Sequence, residues 1–240
     1  MNPLKILSDG PHHVAVFKPH NCVVIAGRGA PRPTLLEQVR AQGFSGAQPV
    51  HRIDRVTSGI CLFAKTDFGK HALSNAFRKH LIDKRYLCIV EGVPSFKKLS
   101  VNERLKRIDT PEDDAKAFAH QEIDDDGKRA LTHLKVLASE NGFSLIDAKP
   151  QTGRMYQIRI HLAHVGHPIV GDALYGSQVK FADKAVALYA YFLSFPSPKG
   201  PYVTVSAQII PPVFIEFIQK HGLYNLQIAM NQALKPKIPE

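Results

Sequence analysis

The chain holds 240 residues, 44% of them hydrophobic, which suits one sizeable core and a single compact domain. Lys and Arg number 31 against 21 acidic residues, and the formal charge of +10 attracts polyanions. No apolar run reaches the ~18 residues of a spanning helix, no secretory stretch follows Met1-Asn2-Pro3-Leu4-Lys5, and no basic amphipathic helix offers membrane-surface binding. A nucleic acid is therefore the expected partner, with no membrane and no obligate protein partner.

Residues 14–25 read as two short strands around a Lys18-Pro19-His20-Asn21 turn, where Asn21 tolerates left-handed backbone. Cys22, Cys61 and Cys88 lie far apart among apolar neighbours, as buried free thiols do in a reducing, cytoplasmic setting. Thr34-Leu35-Leu36-Glu37 has capping-box spacing and opens a helix toward Gln42-Gly43. A second helix is predicted from Asp67 to about His80, capped by Thr66, with Phe68, Ala72, Leu73, Ala76 and Phe77 on one face. Tyr86–Val90 has strand composition. Residues 93–128 read as a polar excursion with one or two short strands, the basic cluster Lys97, Lys98, Arg104, Lys106 and Arg107, and a hairpin tip at Asp124–Gly127.

Strands resume at Leu131–Leu137 and Phe143–Ala148, and a helix is predicted from Thr152 to about Val165, stopped by Gly166. Ala185–Phe195 and Val203–Ile210 read as extended, and Pro211-Pro212 introduces a helix ended by Gly222. Residues 1–222 then form one domain, and 223–240, with two prolines, a C-terminal surface extension. Strands mixed with a few helices, without regular βαβ alternation, predict an α+β fold.

Three segments carry candidate chemistry. In His51-Arg52-Ile53-Asp54-Arg55-Val56-Thr57-Ser58-Gly59, the acid sits between two arginines, which favour its ionised form. An ionised carboxylate in a positive setting suits nucleophilic attack on a phosphate-bearing substrate; a surface ion-pair network beside a Ser-Gly turn would look the same. In Lys84-Arg85-Tyr86, a tyrosine beside two cations can stack on a base, or simply occupy an amphipathic strand. In Thr152-Gly153-Arg154-Met155-Tyr156-Gln157-Ile158-Arg159-Ile160-His161, helical spacing puts Tyr156, Arg159 and Ile160 on one face. Arg159 then points inward and needs a carboxylate, or snorkels to solvent. The loop Gly166–Gly176 is punctuated by glycines and is either close to substrate or built of tight turns alone.

Together these segments resemble the RluA-type pseudouridine synthases. His51–Gly59 is similar to the family's H-R-L-D-x-x-T-S-G, Lys84-Arg85-Tyr86 to its K-x-Y, and Thr152–His161 to T-G-R-x-H-Q-I-R-x-H. Gly166–Gly176 is similar to G-x-P-I-x-G-D-x-x-Y-G, and Lys18-Pro19 and Leu188–Phe195 also fall in the family order. The resemblance runs through residues 12–217. Two positions depart from the pattern: Asn21 stands where Gly is usual, and Tyr156 where the helix motif carries His. The RNA-binding S4 module of many relatives is not expected, because the resemblance begins within the first twenty residues.

The resemblance implies a mixed, largely antiparallel sheet flanked by helices, with a central RNA-binding cleft. It also implies isomerisation of uridine to pseudouridine in ribosomal or transfer RNA stem-loops, without metal or cofactor. Asp54 would be the nucleophile, Arg159 its ion-pair partner and Tyr86 the platform under the base. Arg52, Arg55, Lys84, Arg85, Arg154, Tyr156, Gln157 and Ile169 would bind substrate, with Arg52 filling the space left by a flipped uridine. Asp54 and Arg159 are expected to approach within about 4 Å. Arg159, Arg52 and Arg55 are expected to lower the Asp54 pKa, and Arg159→Met to harm catalysis more than folding.

Two other readings exist. His161, His164 and His167 suggest a metal site, but steps of three walk around a helix and no acidic ligand accompanies them. An RNA-binding protein without activity would be favoured by loss of Asp54, Tyr86 or Arg159, and all three are present.

Overall fold

The computed structural model describes residues 3–27, 31–109 and 120–235. The elements run β1 (Ile6–Asp9), β2 (His13–Lys18), α1 (Leu35–Ala41), β3 (Gln48–Pro49), β4 (Ser58–Ala64), α2 (Asp67–Arg78), β5 (Asp83–Glu91), β6 (Lys98–Ile108) and β7 (His120–Ile123). They continue with β8 (Lys128–Glu140), β9 (Phe143–Pro150), α3 (Gln157–His164), a short 3-10 turn (Ala173–Tyr175), β10 (Leu188–Pro196), β11 (Tyr202–Ser206), α4 (Pro212–His221) and α5 (Tyr224–Leu234). Among the described residues the strands form one sheet in the order β1-β2-β4-β10-β5-β9-β8-β6-β7, with β11 beside β10 and β3 beside β4. Every pairing is antiparallel except β4 with β10, giving the expected mixed α+β sheet.

All seven residues of β4 are buried, because both faces of the sheet are covered there. On one face Ile60 and Leu62 pack with Leu73 and Ala76 of α2. On the other, Cys61 and Phe63 pack with Leu35 and Val39 of α1. Thr34 makes the expected capping box with Glu37, and Thr66 caps α2 by accepting from the Gly69 N–H. Phe68, expected on the apolar face of α2, is exposed instead. Gly59 is required at the β4–β10 junction: its φ is +118°, and a Cβ there would meet the Ala190 carbonyl oxygen at 2.2 Å. The three cysteines are buried free thiols.

Several expectations need correction. Asn21 is left-handed at φ 56° as anticipated, but no strand follows it; residues 22–27 run irregularly into the α1 region. Residues 93–128 contain the eleven-residue strand β6 rather than short strands alone, and β7 and β8 both pair with β6. Asp124–Gly127 is thus a turn between two strands that share a neighbour, not the tip of a hairpin. The helix expected from Thr152 begins only at Gln157, because Tyr156 holds left-handed backbone at φ 57°.

The surface extension expected at 223–240 is, over its described part, the helix α5, whose Leu226, Met230 and Leu234 belong to the main core. Its apolar residues recur at helical spacing, and Asn225 is tied to Glu140 at the end of β8. Replacing Leu226 by Ala should therefore cost about 2–5 kcal/mol in urea denaturation; a value near zero would return α5 to the surface.

Candidate active site

The loop from His51 to Thr57 is held at three points. The His51 Nε2 accepts the Leu62 N–H at 2.9 Å while the ring stacks on Phe77 with centroids 4.6 Å apart. Burial, with Lys84 nearby, pushes the His51 pKa down to about 3, so the ring stays neutral and keeps this acceptor. Ile53 is sunk in the core under α1, and the Thr57 N–H closes a turn on the Asp54 carbonyl at 3.1 Å. Lys18 is fully buried and donates to the carbonyls of Pro19, Cys22 and Arg55, joining the Asn21 turn to this loop. Burial brings its pKa down to about 8.

The loop borders a cleft of about 530 Å³, a volume suited to a small ligand. Asp54, Tyr86, Lys84, Arg52, Arg154 and Tyr156 all line it. A smaller hollow of about 180 Å³ shares Arg52, Ile53, Asp54 and Tyr156, so Asp54 stands on the ridge between the two.

Arg159 reaches this ridge from α3. One guanidinium nitrogen lies 3.9 Å from Asp54 Oδ2, while Nε and a second nitrogen grip Asp172 at 2.6 and 2.7 Å. Asp172, at 1% side-chain exposure, is thus the principal partner of Arg159, and sequence reasoning missed it inside the Gly166–Gly176 loop. Its signal was available: an inward arginine needs an anion, and that loop carries one acid. The Tyr156 and Tyr175 rings lie 4.4 and 5.2 Å from the guanidinium carbon, so Tyr156 packs on the cation.

The electrostatics reverse one expectation. The Asp54 pKa is raised, not lowered: burial dominates, against the opposing pull of Arg159, Lys18 and Arg52, and Asp172 adds to the rise. Arg55 takes no such part; its Nε donates to Asn21 Oδ1 at 2.9 Å, and it borders only the smaller hollow. Burial and the Asp54 charge raise the Tyr86 pKa, which keeps the phenol protonated. Lys84 donates to the Thr152 carbonyl at 3.1 Å, and burial brings its pKa down to about 8.

Other expected site residues divide by geometry. Arg85 falls on the opposite face of β5 from Tyr86, as strand alternation demands, and meets Asp147 at 3.6 Å and Asp83 at 3.8 Å. Ile169 is wholly buried in a bridge to Val90 and belongs to the core, not the cleft. Gln157 lines the cleft yet is only 4% exposed. Its side chain accepts from Thr152 and the Arg154 N–H and donates to Leu131 and Thr132, fastening the 152–154 turn to β8.

The three histidines of α3 and its exit diverge. His161 bonds to Thr132, His164 lies 3.8 Å from Glu103, and His167 bonds to the Glu91 carbonyl. Among the described residues no group of three His, Cys, Asp or Glu converges as metal ligands.

Residues 12–164 match the protein family described as RNA pseudouridylate synthase. The chain belongs to that family, in its RluA-type branch. A ribosomal large subunit pseudouridine synthase D of Zymomonas mobilis is 33% identical over 233 residues, spanning 86% of this chain and 69% of its own. An uncharacterized RNA pseudouridine synthase of Bacillus subtilis is 31% identical over 220 residues, spanning 87% and 71%. The solved human RNA Pseudouridylate Synthase Domain Containing 1 shares the fold, with a TM-score of 0.72 across 99% of this chain and 97% of that one at 22% identity. The protein is accordingly an RNA pseudouridine synthase, an isomerase acting on uridine in RNA. No helix among the described residues of this synthase is long and apolar enough to cross a membrane.

Because Arg159 is clamped to Asp172, Arg159→Met leaves a buried carboxylate without its cation. The variant should lose about 3–5 kcal/mol of stability, so folding suffers as well as any effect on chemistry. Asp172→Asn should also destabilise, and the double variant should lose less than the sum of the two. Additive losses in urea denaturation would show that the pair is not coupled.

Proposed function

We propose that this synthase isomerises specific uridines in large-subunit ribosomal RNA, with the Asp54 carboxylate acting at C1′. The observation that carries the proposal is that Asp54 is the one carboxylate among the described residues lining the cleft, where cations otherwise prevail. The choice of ribosomal over transfer RNA is supported by relatives in Zymomonas and Xylella named for the ribosomal large subunit.

In the proposed reaction the target uridine leaves its stack and enters the cleft, with Arg52, exposed at the rim, occupying the space behind it. Tyr86 offers a ring face for the uracil and, being protonated, an O–H donor rather than a base. As the N1–C1′ bond breaks, cationic character grows at C1′, and the Asp54 carboxylate answers it, much as glycosidase carboxylates do. The uracil turns in place, C5 bonds to C1′, the C5 proton leaves and N1 gains one, so no atoms are lost overall. Lys84, Arg154 and Tyr156 surround the position where the ribose and its phosphates would lie.

Asp54→Asn should lower turnover by about three orders of magnitude or more, with RNA affinity nearly unchanged because binding is spread over many cations. Release of the C5 hydrogen from labelled RNA reads turnover directly, and substantial residual release would refute the assignment. Pseudouridine mapping in ribosomal and transfer RNA, with and without the gene, decides the substrate.

Turnover should also fall as acid protonates Asp54, through a pKa above its ordinary value of about 4. The same shift makes a stability prediction. A raised carboxyl pKa contributes stability that is full below the unfolded pKa and lost as pH rises through the folded one. At neutral pH the ionised form is therefore a cost, and Asp54→Asn should raise the Tm there. The gain should vanish in acid; a lower Tm at neutral pH would contradict the raised pKa.

A further inference from the structure

We infer that the outer face of β6 and β8, on the side of the sheet away from the cleft, is a second phosphate-binding surface for the RNA substrate. The inference rests on this enzyme handling RNA and adds that its RNA is large enough to reach both sides of the sheet.

The pairing register is the starting observation. Lys98 lies directly opposite Lys135, and Arg104 directly opposite Arg129, with Ser100–His133 and Asn102–Leu131 between them. Directly opposed residues of an antiparallel pair share a face, and alternate residues along β6 keep it, so all four cations project from one side. That side is opposite to the cleft. Thr132, one position out of phase with Leu131, bonds to Gln157 and His161 on the α3 side. Tyr86 lies on the α3 side too, through its register with Ala148 and that residue's register with Leu134.

Like charges placed directly opposite one another destabilise a strand pair, so folding alone does not favour two such pairs on one face. All four side chains belong to exposed residues, and among the described residues none of the four has a carboxylate within ion-pair distance. Their neighbours differ. Lys106 is answered by Asp124 and Asp126, and Arg107 by Asp109. The acid that stands opposite Lys135 across β9, Asp147, lies 3.6 Å from Arg85 and accepts from the Tyr191 hydroxyl at 3.2 Å.

The two arginines are also pre-positioned. Arg104 donates to the Gly127 carbonyl at 3.1 Å and Arg129 to Asn102 Oδ1 at 3.0 Å, which orients each guanidinium while leaving further N–H groups to donate outward. From Lys98 to Arg104 the strand rises about 20 Å, enough to follow several successive phosphates. A hairpin held within the cleft lies on the other side of the sheet from these four cations. A large folded RNA with a second arm can reach them.

The test replaces Lys98, Arg104, Arg129 and Lys135 together by Gln. All four are exposed and mutually repulsive, so the variant should fold with an unchanged or higher Tm. Filter binding across a salt series then compares purified ribosomal RNA with a short synthetic uridine-containing hairpin. For ribosomal RNA the log–log salt slope should become shallower by about 3, with affinity at low salt down at least about tenfold. Hairpin affinity should stay within about twofold. Equal loss on both probes would overturn the inference, because the face would then act only through the general positive field. So would unchanged affinity for both, or unchanged RNA binding with lost binding to phosphatidylglycerol vesicles, which would mark a lipid surface. Binding is read without turnover, so failure of the Asp54 assignment leaves the comparison intact.

Discussion

The site is organised by one buried cation. Arg159 has a side chain only 6% exposed, and a guanidinium so placed must have its charge answered inside the protein. Asp172 answers it through a two-bond fork, which ties α3 to the loop after it. The remaining edge of the guanidinium faces Asp54 at 3.9 Å, beyond hydrogen-bond range. Asp54 is therefore near a positive charge without being locked by it. A carboxylate consumed by a fork of its own would be a structural ion; one poised beside a cation already satisfied elsewhere keeps its oxygens for a ligand. Burial, the largest influence, and the Asp172 charge push its pKa up, while Arg159, Lys18 and Arg52 pull it back.

The backbone around this clamp is arranged for close approach. Gly59 allows β4 to run parallel to β10 at a separation no side chain permits, and the Asp54 loop enters directly ahead of that junction. His51 and Ile53 pin the loop from opposite directions, one to β4 and α2, the other to the core under α1. Asp54 and Arg52 flank Ile53, so burying that one side chain turns both of its neighbours toward the open side. Left-handed Tyr156 delays the start of α3 and lays its ring on Arg159. A non-glycine residue held there is strained, and such strain gathers at functional sites.

The cations of this enzyme fall into two populations. Lys18 and Lys84 are drawn inward, donate to carbonyls and have pKa values brought down to about 8 by burial; they hold the chain together around the cleft. The exposed population, on the rim and on the outer face of β6 and β8, faces solvent, where a polyanion can reach it. Net charge alone could not separate the two, since a buried lysine bonded to three carbonyls counts the same as one facing solvent.

Composition and motif order were enough for the class of molecule, the α+β fold and the family, because local patterns such as the Thr34 capping box, the Thr66 cap and the His51–Gly59 segment carry their information within a few residues. The sequence by itself also determined which acid to suspect, since Asp54 sits in the most specific of those segments. It did not reveal which partners Arg85 and Tyr86 meet on the two sides of β5, that Ile169 is core, or that α5 packs inside. Each of those depends on what lies across the sheet, not along the chain. The direction of the Asp54 pKa shift and the claim of Asp172 on Arg159 were decided only by tertiary structure, for the same reason. Local sequence shows which charges are adjacent, whereas burial and the competition of two carboxylates for one guanidinium arise only when distant segments enclose them together.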